Sequence, residues 1–229
     1  MSAESLAATE LFRGLTSRAL EAVAASARMC RFPKDGLIFN QGDSEVRAHA
    51  VVEGVVRIAQ SGSDGAQVVV RYIGPGEMFG TVSLFTDGHY PADAVAVCDT
   101  QVASWSEPEL LALMRGYPRI AINVIRIIGK RLQEAQERMR ELATQPAERR
   151  VAHAVLRLAE QVGHSTTDGT TIEFSLRRKD IADIAGTTLH TASRILTAWQ
   201  KAGWLASRKQ RLTVRNPTEI RRIAVSSAD

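Results

Sequence analysis

The chain has 229 residues, of which 45% are hydrophobic and 24% charged, and its net charge is +4. This length allows one large or two modest domains, each able to bury a core. No apolar run approaches the roughly 20 residues that cross a membrane, and the N-terminus lacks a signal-peptide pattern, so we expect a cytoplasmic protein without a membrane partner.

The two cysteines, Cys30 and Cys98, belong to no CxxC pair or Cys/His cluster. Reduced thiols are therefore expected, and a disulfide is not. Zinc and iron–sulfur sites that need several thiolates are excluded by this count.

The first half of the chain changes from helical to strand-like patterning near Arg31. Residues 5–29 are rich in alanine and predict a helix with a break at Gly14. Short β-branched runs then alternate with glycine turns, at 37–39, 50–52, 55–58, 67–73, 94–97 and 101–105. Strands of this length and spacing predict an antiparallel sandwich or barrel, here a compact β-roll of about a hundred residues.

A long helix is predicted between Arg119 and Ala143, after Pro108 and Pro118. Its apolar side has no obvious partner in its own chain, which predicts pairing with a second copy of the chain. Packing against its own β-roll is the alternative, and the two can coexist. The residues assigned to dimerisation are Ile120, Val124, Ile127, Arg131 and Ala135. A further helix over 147–161 and a polar loop over 164–170 follow.

Residues 176–205 predict two short amphipathic helices separated by Gly186. The second helix has an apolar stripe at i, i+3, i+4 and i+7 that faces a core, and Thr188 caps it. Its opposite face is polar, which favours the recognition helix of a helix-turn-helix over a solvated hairpin. The residues expected to contact DNA there are Thr188, His190, Thr191, Ser193, Arg194 and Thr197.

A strand, a basic turn and a second strand follow at 205–214, as in a DNA-binding wing. Arg208, Lys209 and Arg211 are expected to meet phosphates there. Between residues 177 and 222 there are eleven Lys or Arg and three Asp or Glu, although the whole chain has a net charge of only +4. Positive charge concentrated on one module is typical of nucleic-acid binding.

The order of these elements resembles the CRP/FNR family of bacterial transcription regulators. Four motifs carry the resemblance, which covers nearly the whole chain: Phe39-Asn-Gln-Gly-Asp43, residues 51–58, Gly76-Glu-Met-Phe-Gly80 and Thr191-Ala-Ser-Arg194. The resemblance implies an α+β fold with three parts. These are a cyclic-nucleotide-binding-like β-roll with its N-terminal helix over 1–117, a dimerisation helix over 118–145 and a winged helix-turn-helix over 146–229.

The resemblance also implies a homodimer that binds a palindromic double-stranded DNA operator and works with RNA polymerase. Arg194 matches the family's guanine-reading arginine, and Ser193 matches the serine of the FNR-type Ser-Arg pair. His190 stands where the family usually has glutamate, so the half-site is expected to differ at one position from an FNR-like TTGAT.

The effector pocket departs from the pattern of the cyclic-AMP members. Thr81 stands at the position of their ribose-binding glutamate, and Pro91 at that of their phosphate-binding arginine. Loss of that charge-assisted pair predicts that cAMP does not bind. The four-cysteine iron–sulfur cluster of FNR itself is excluded by the cysteine count. The expected pocket residues are Phe79, Gly80, Thr81, His89, Tyr90 and Ala92.

Two segments, 89–94 and 186–194, look like the DNR/NnrR-type regulators of denitrification. This resemblance implies a response to nitric oxide or low oxygen, with haem b as a candidate carrier and His89 or His49 as its axial ligand. Three alternatives remain open: a regulator without an effector whose β-roll only dimerises, a cyclic-nucleotide-responsive regulator, and a cupin-like enzyme. A cupin site needs several converging histidines, and only His49 and His89 lie in the roll, so we expect no catalysis.

Overall fold

A computed structural model describes residues 6–208 and 210–225. It divides into two compact units. The first comprises residues 1–67 and 73–135, and the second comprises 68–72 and 136–229, within the described residues. The α+β architecture of antiparallel roll, long helix and helix-turn-helix is confirmed.

The predicted N-terminal helix over 5–29 is wrong in its extent. The described part has a 3₁₀ turn at Glu10–Phe12 and then helix α1 at Ser17–Ser26. The hydroxyl of Thr16 caps α1 by accepting from the backbone N–H of Ala19. The chain then enters a strand at Arg28, because β1 pairs with the last strand of the roll along its whole length.

Within the described part of the first unit and residues 68–72, eight strands form two four-stranded antiparallel sheets, ordered β1-β8-β3-β6 and β2-β7-β4-β5. All six predicted strands are present, whereas β1 and the two-residue β6 were not predicted. The strands are β1 (Arg28–Phe32), β2 (Leu37–Phe39), β3 (Arg47–Glu53), β4 (Val56–Ser61), β5 (Gln67–Ile73), β6 (Met78–Phe79), β7 (Asp93–Ala96) and β8 (Thr100–Ser106).

Two helices follow the roll, α2 (Glu107–Gly116) and the long α3 (Pro118–Thr144). A capping box formed by Ser106 and Glu109 starts α2, which was not predicted. The core of the first unit is built around Trp105, which is fully buried. Its ring meets Phe12 edge to face at 5.1 Å, and its Nε1 donates to the carbonyl of Val23.

The sequence predicts that the apolar side of α3 has no partner in its own chain. In the structure, three residues of this side are buried within the first unit. Ile120, Val124 and Ile127 belong to the core of the first unit, with at most 9% exposure. Arg131 donates to Glu10 and Glu77 at 3.2 and 3.3 Å, which ties α3 to the N-terminal 3₁₀ turn and to the turn before β6. The expectation of a free apolar side is therefore corrected for these four residues; Ala135 is exposed.

Besides residues 68–72, the second unit contains the end of α3 and the helices α4 (Ala147–Val162), α5 (Arg178–Ile184), α6 (Leu189–Lys201) and α7 (Pro217–Val225). Its sheet has the order β11-β12-β10-β9. The polar loop predicted over 164–170 is in fact a hairpin of β9 (Gly163–Thr166) and β10 (Gly169–Ile172), whose second strand pairs with β12. Strands β11 (Leu205–Arg208) and β12 (Arg211–Val214) form the predicted wing.

Candidate functional site

Helix α6 has the two faces that the sequence predicts. Its apolar stripe, Ala192, Ile195, Leu196 and Trp199, is buried. At its start, the Thr188 hydroxyl accepts from the backbone N–H of Thr191 at 3.1 Å and donates to the Thr191 hydroxyl at 3.0 Å. Both threonine hydroxyls therefore fix the first turn of the helix, the turn that presents base-reading side chains in helix-turn-helix proteins.

The opposite face of α6 carries a groove with hydroxyl, imidazole and cationic groups. His190 and Arg194 are exposed, and Ser193 and Thr197 are half-buried. The groove is lined by His190, Ser193, Arg194, Thr197, Ala198 and Lys201. Such a face offers donors to guanine and acceptors or donors to neighbouring bases, and no catalytic nucleophile–base pair is formed by these lining residues.

Arg178, at the start of α5, holds this face in place and was not predicted. Its guanidinium donates to the carbonyl of Ser193, the hydroxyl of Thr197 and the side-chain oxygen of Gln200, all at 2.9–3.0 Å. One acceptor site of Thr197 is thus used inside the protein. The arginine pair 177–178 before an amphipathic helix was visible in the sequence, but its target carbonyl depends on the tertiary fold.

The wing places two of its three predicted cations on the surface. Arg208 and Arg211 face each other across the β11–β12 hairpin and are exposed. Lys209, the third, lies outside the described residues. Gln210, just before β12, adopts a left-handed backbone with φ of 62°.

Four aromatic or imidazole rings pack together in the interior of the β-roll. Phe39 and Tyr90 stack with their centroids 3.6 Å apart, and His49 lies 5.4 Å from Phe39 and 5.0 Å from Phe79. The Tyr90 hydroxyl lies 3.1 Å from Nε2 of His49, accepts from the N–H of Arg47 and donates to its carbonyl. We call Phe39, His49, Phe79 and Tyr90 the ring cluster.

Gly80 is required by this packing. Its φ is +71°, and a Cβ there would lie 2.8 Å from the Arg47 carbonyl oxygen and 3.0 Å from the His49 ring. Any other side chain would therefore displace the ring cluster or the β3 backbone.

Burial, assisted by the neighbouring Arg47, lowers the pKa of His49 to about 3. Nε2 of the neutral ring lies within hydrogen-bond distance of the Tyr90 hydroxyl, the rings of Phe39 and Phe79 pack beside it, and its exposure is 8%. A haem plane beside His49 would have to displace Phe39, Phe79 or Tyr90, so this arrangement does not fit haem.

The remaining predicted pocket residues differ in their exposure. His89 is exposed, and its Nδ1 contacts the carbonyl of Asp87 at 2.9 Å, so it does not sit in the apolar pocket that an axial haem ligand needs. Thr81 and Ala92 are buried, and Pro91 is exposed.

Within the described ranges, no group of three or more His, Cys, Asp or Glu side chains is arranged to hold a metal ion. Cys30 and Cys98 are half-buried free thiols. None of the helices in the described part of the chain has the length and hydropathy of a membrane span.

Two family models match the chain. The cyclic nucleotide-binding domain covers residues 29–117, and the Crp-like helix-turn-helix domain covers residues 149–223. The cyclic AMP receptor protein of Thermus thermophilus is 32% identical over 218 residues, which is 95% of this chain and 98% of that protein. The nitrogen fixation regulation protein FixK of Azorhizobium caulinodans is 28% identical, over 94% of this chain and 88% of that protein.

Among solved structures, FixK2 from Bradyrhizobium japonicum aligns with a TM-score of 0.75 at 25% identity, covering 88% of this chain and 99% of that one. An antiparallel roll followed by a long helix and a winged helix-turn-helix defines a DNA-binding protein with an appended sensor-type domain. The chain belongs to the CRP/FNR family of DNA-binding transcription regulators.

Proposed function

We propose that the protein is a homodimeric, sequence-specific regulator that binds a palindromic operator through helix α6. The observation that carries this proposal is the polar face of α6. An exposed arginine, an exposed histidine and a half-buried serine lie on one groove, and Arg178 and the Thr188 cap hold the helix. We assign base reading to Arg194, Ser193 and His190, and phosphate contacts to Arg208, Lys209 and Arg211.

The dimer is proposed to form along a different face of α3 from the one first assigned. Ile125, Leu132 and Met139 are 59–70% exposed, and Ile128 and Leu142 are 41% and 47% exposed. With Ala135 they repeat at alternating spacings of three and four residues, which is the pattern of a coiled-coil core. We call Ile125, Ile128, Leu132, Ala135, Met139 and Leu142 the helix seam. A parallel second copy would bury these side chains.

A two-fold axis through this pair would present two α6 helices to successive major grooves. Selection of bound duplexes from a random-sequence library tests the proposal directly. We expect an inverted repeat with half-sites about 10 base pairs apart, centre to centre. Recovery of no enriched sequence, or of unpaired single half-sites only, would refute it.

We propose that this β-roll carries no small-molecule effector in the conformation described. Phe39, Phe79 and Tyr90 of the ring cluster belong to a hydrophobic core of the roll, and the Tyr90 hydroxyl lies within hydrogen-bond distance of the buried His49. This packing supports a regulator that needs no effector. It argues against a response to nitric oxide or low oxygen through haem b, and against a response to cAMP. The DNR/NnrR resemblance remains the argument for gas sensing.

An absorption spectrum and a titration separate these alternatives. We expect no sharp Soret band after addition of haem, and operator binding that is unchanged by nitric oxide or by cAMP. A Soret band that moves with nitric oxide under anaerobic conditions, accompanied by tighter operator binding, would instead establish the gas sensor. Loss of that band in His89→Ala or His49→Ala would identify the ligand.

The proposed partners are double-stranded operator DNA, a second copy of the chain and RNA polymerase, and the proposed location is the cytoplasm. A regulator bound at a promoter acts by changing how the polymerase engages it. Transcription in vitro from a promoter that carries the selected operator tests this partner, with a scrambled operator as the control.

A further inference from the structure

The last turns of α3 lie directly against the turn between the two helices of the DNA-binding motif. A Cβ built on Gly186 would lie 2.2 Å from Cδ2 of Leu142, so the leucine side chain rests on this glycine. Gly186 has a φ of +59°, a left-handed conformation that few other residues adopt. The contact therefore falls on the turn that sets the angle between α5 and α6.

Arg150 binds the same turn from α4. Its guanidinium donates to the carbonyl of Gln145 at 2.6 Å, to that of Ala185 at 2.9 Å and to that of Gly186 at 3.0 Å. The first carbonyl follows the end of α3, and the other two follow the end of α5. A cation at the C-terminal ends of two helices is stabilised by their dipoles. The planar, forked guanidinium suits three separate acceptors, whereas a lysine ammonium does not match this geometry.

An ion pair between the buried Glu141 and the half-buried Arg157 joins α3 and α4. Glu141 is 5% exposed and accepts two hydrogen bonds from Arg157, at 2.8 and 3.1 Å. The residues from 136 onward therefore form one body with the DNA-binding motif, which agrees with the division of the structure inside α3.

We propose that Arg150 and Leu142 are positioning residues for base reading. They fix the turn at Ala185-Gly186, and with it helix α6, to the end of the helix that carries the seam. Arg150 acts through backbone carbonyls and not through DNA, and this role rests on the proposed function. Base-edge hydrogen bonds depend on accurate placement of α6, whereas attraction to phosphates tolerates small displacements. We call the contacts of Arg150 and Leu142 with this turn the clamp. Loosening the clamp should therefore reduce the preference for the operator more than the affinity for DNA of any sequence.

The substitution Arg150→Lys tests the clamp because it keeps the charge and removes the fork. We expect operator affinity to fall at least about tenfold while affinity for a random duplex stays within about twofold. Arg140→Lys makes the same change at an exposed position of α3 and should alter neither value. An unchanged operator affinity would overturn the proposal. So would equal losses on both duplexes with a lower unfolding temperature, which would indicate a structural role only.

Hydrogen exchange in the DNA-free protein gives a second test. The N–H groups of Gly186 and Thr187 donate to Asp183 and Ala182 within the turn. We expect Arg150→Lys and Leu142→Ala to speed exchange at these two amides and to leave the amides of α4 unchanged. Exchange as slow as in the wild type would contradict the clamp. A wild-type protein that selects no palindrome would refute the proposed function, and this exchange test would still decide the clamp.

Discussion

Arginines on α6 and on the wing carry the same charge but are expected to contact different parts of the DNA. Arg194 lies on the groove of α6, and Arg208 lies at the exposed end of the wing. We expect Arg194→Ala to cost about 1–3 kcal/mol of discrimination between operator and random duplex, because a bidentate contact to guanine is lost. Arg208→Ala should weaken binding to both duplexes alike. It should also reduce the salt dependence of the binding constant by the contribution of about one phosphate contact. Titrations at several salt concentrations measure both effects, and equal losses on both duplexes for Arg194→Ala would contradict its role.

His49 makes the stability of the protein depend on pH. Its pKa is lowered from 6.5 to about 3 in the folded chain, mainly by burial, so the unfolded chain binds one more proton between these values. Stability is therefore fully present above pH 6.5 and falls as the pH drops below it, by about 1.4 kcal/mol per pH unit from this residue.

Urea unfolding at pH 7.0 and 5.5 measures this dependence. We expect His49→Gln to be less stable than the wild type at pH 7.0, since the packing in the ring cluster changes, but to lose about 1 kcal/mol less between the two pH values. A variant with the same pH slope as the wild type would show that His49 is not buried in its neutral form.

Helix α3 has two apolar faces, one buried in the first unit and the other the exposed helix seam. Leu132→Asp places a carboxylate in the helix seam of both copies, and we expect dimerisation to weaken at least about a hundredfold, or about 3 kcal/mol. Arg126→Asp also adds a carboxylate, at an exposed position outside the seam, and should leave the dimer intact. Sedimentation equilibrium measures the dimerisation of both variants. A Leu132→Asp protein that remains dimeric would show that the helix seam is not the dimer interface.

Sequence patterning predicts elements better than it predicts their partners. The strands with alternating or β-branched runs, such as 67–73, and the apolar stripe of α6 are present as predicted. The hairpin at 163–172 is short and polar, so its pairing with β12 comes from tertiary contacts. Helical periodicity places Ile127 and Ile128 on the same broad side, but only packing shows that the first is buried and the second exposed. The role of Arg178 depends on carbonyls that periodicity cannot locate.

At the scale of the whole molecule, a two-fold dimer would read DNA with a fixed spacing between its two α6 helices. Inserting five base pairs between the half-sites rotates one of them by about half a turn of the duplex. We expect the affinity to fall to that of a single half-site, whereas an insertion of ten base pairs should restore more of it. Gel-shift titration of the three duplexes measures this phasing. Equal binding to all three would show that the half-sites are read independently.

The ion pair of the buried Glu141 with Arg157 also determines where a chimaera of two family members can be joined. A graft that starts at Pro146 takes Arg157 from one parent and leaves Glu141 in the helix of the other. If the grafted parent has no arginine at position 157, the buried carboxylate of Glu141 loses this partner. Breaking such a pair costs about 3–5 kcal/mol. A junction between Ala135 and Gln136 carries both partners, and Leu142 and Arg150 with them. The recognition helix is therefore transferable only together with the final two turns of α3.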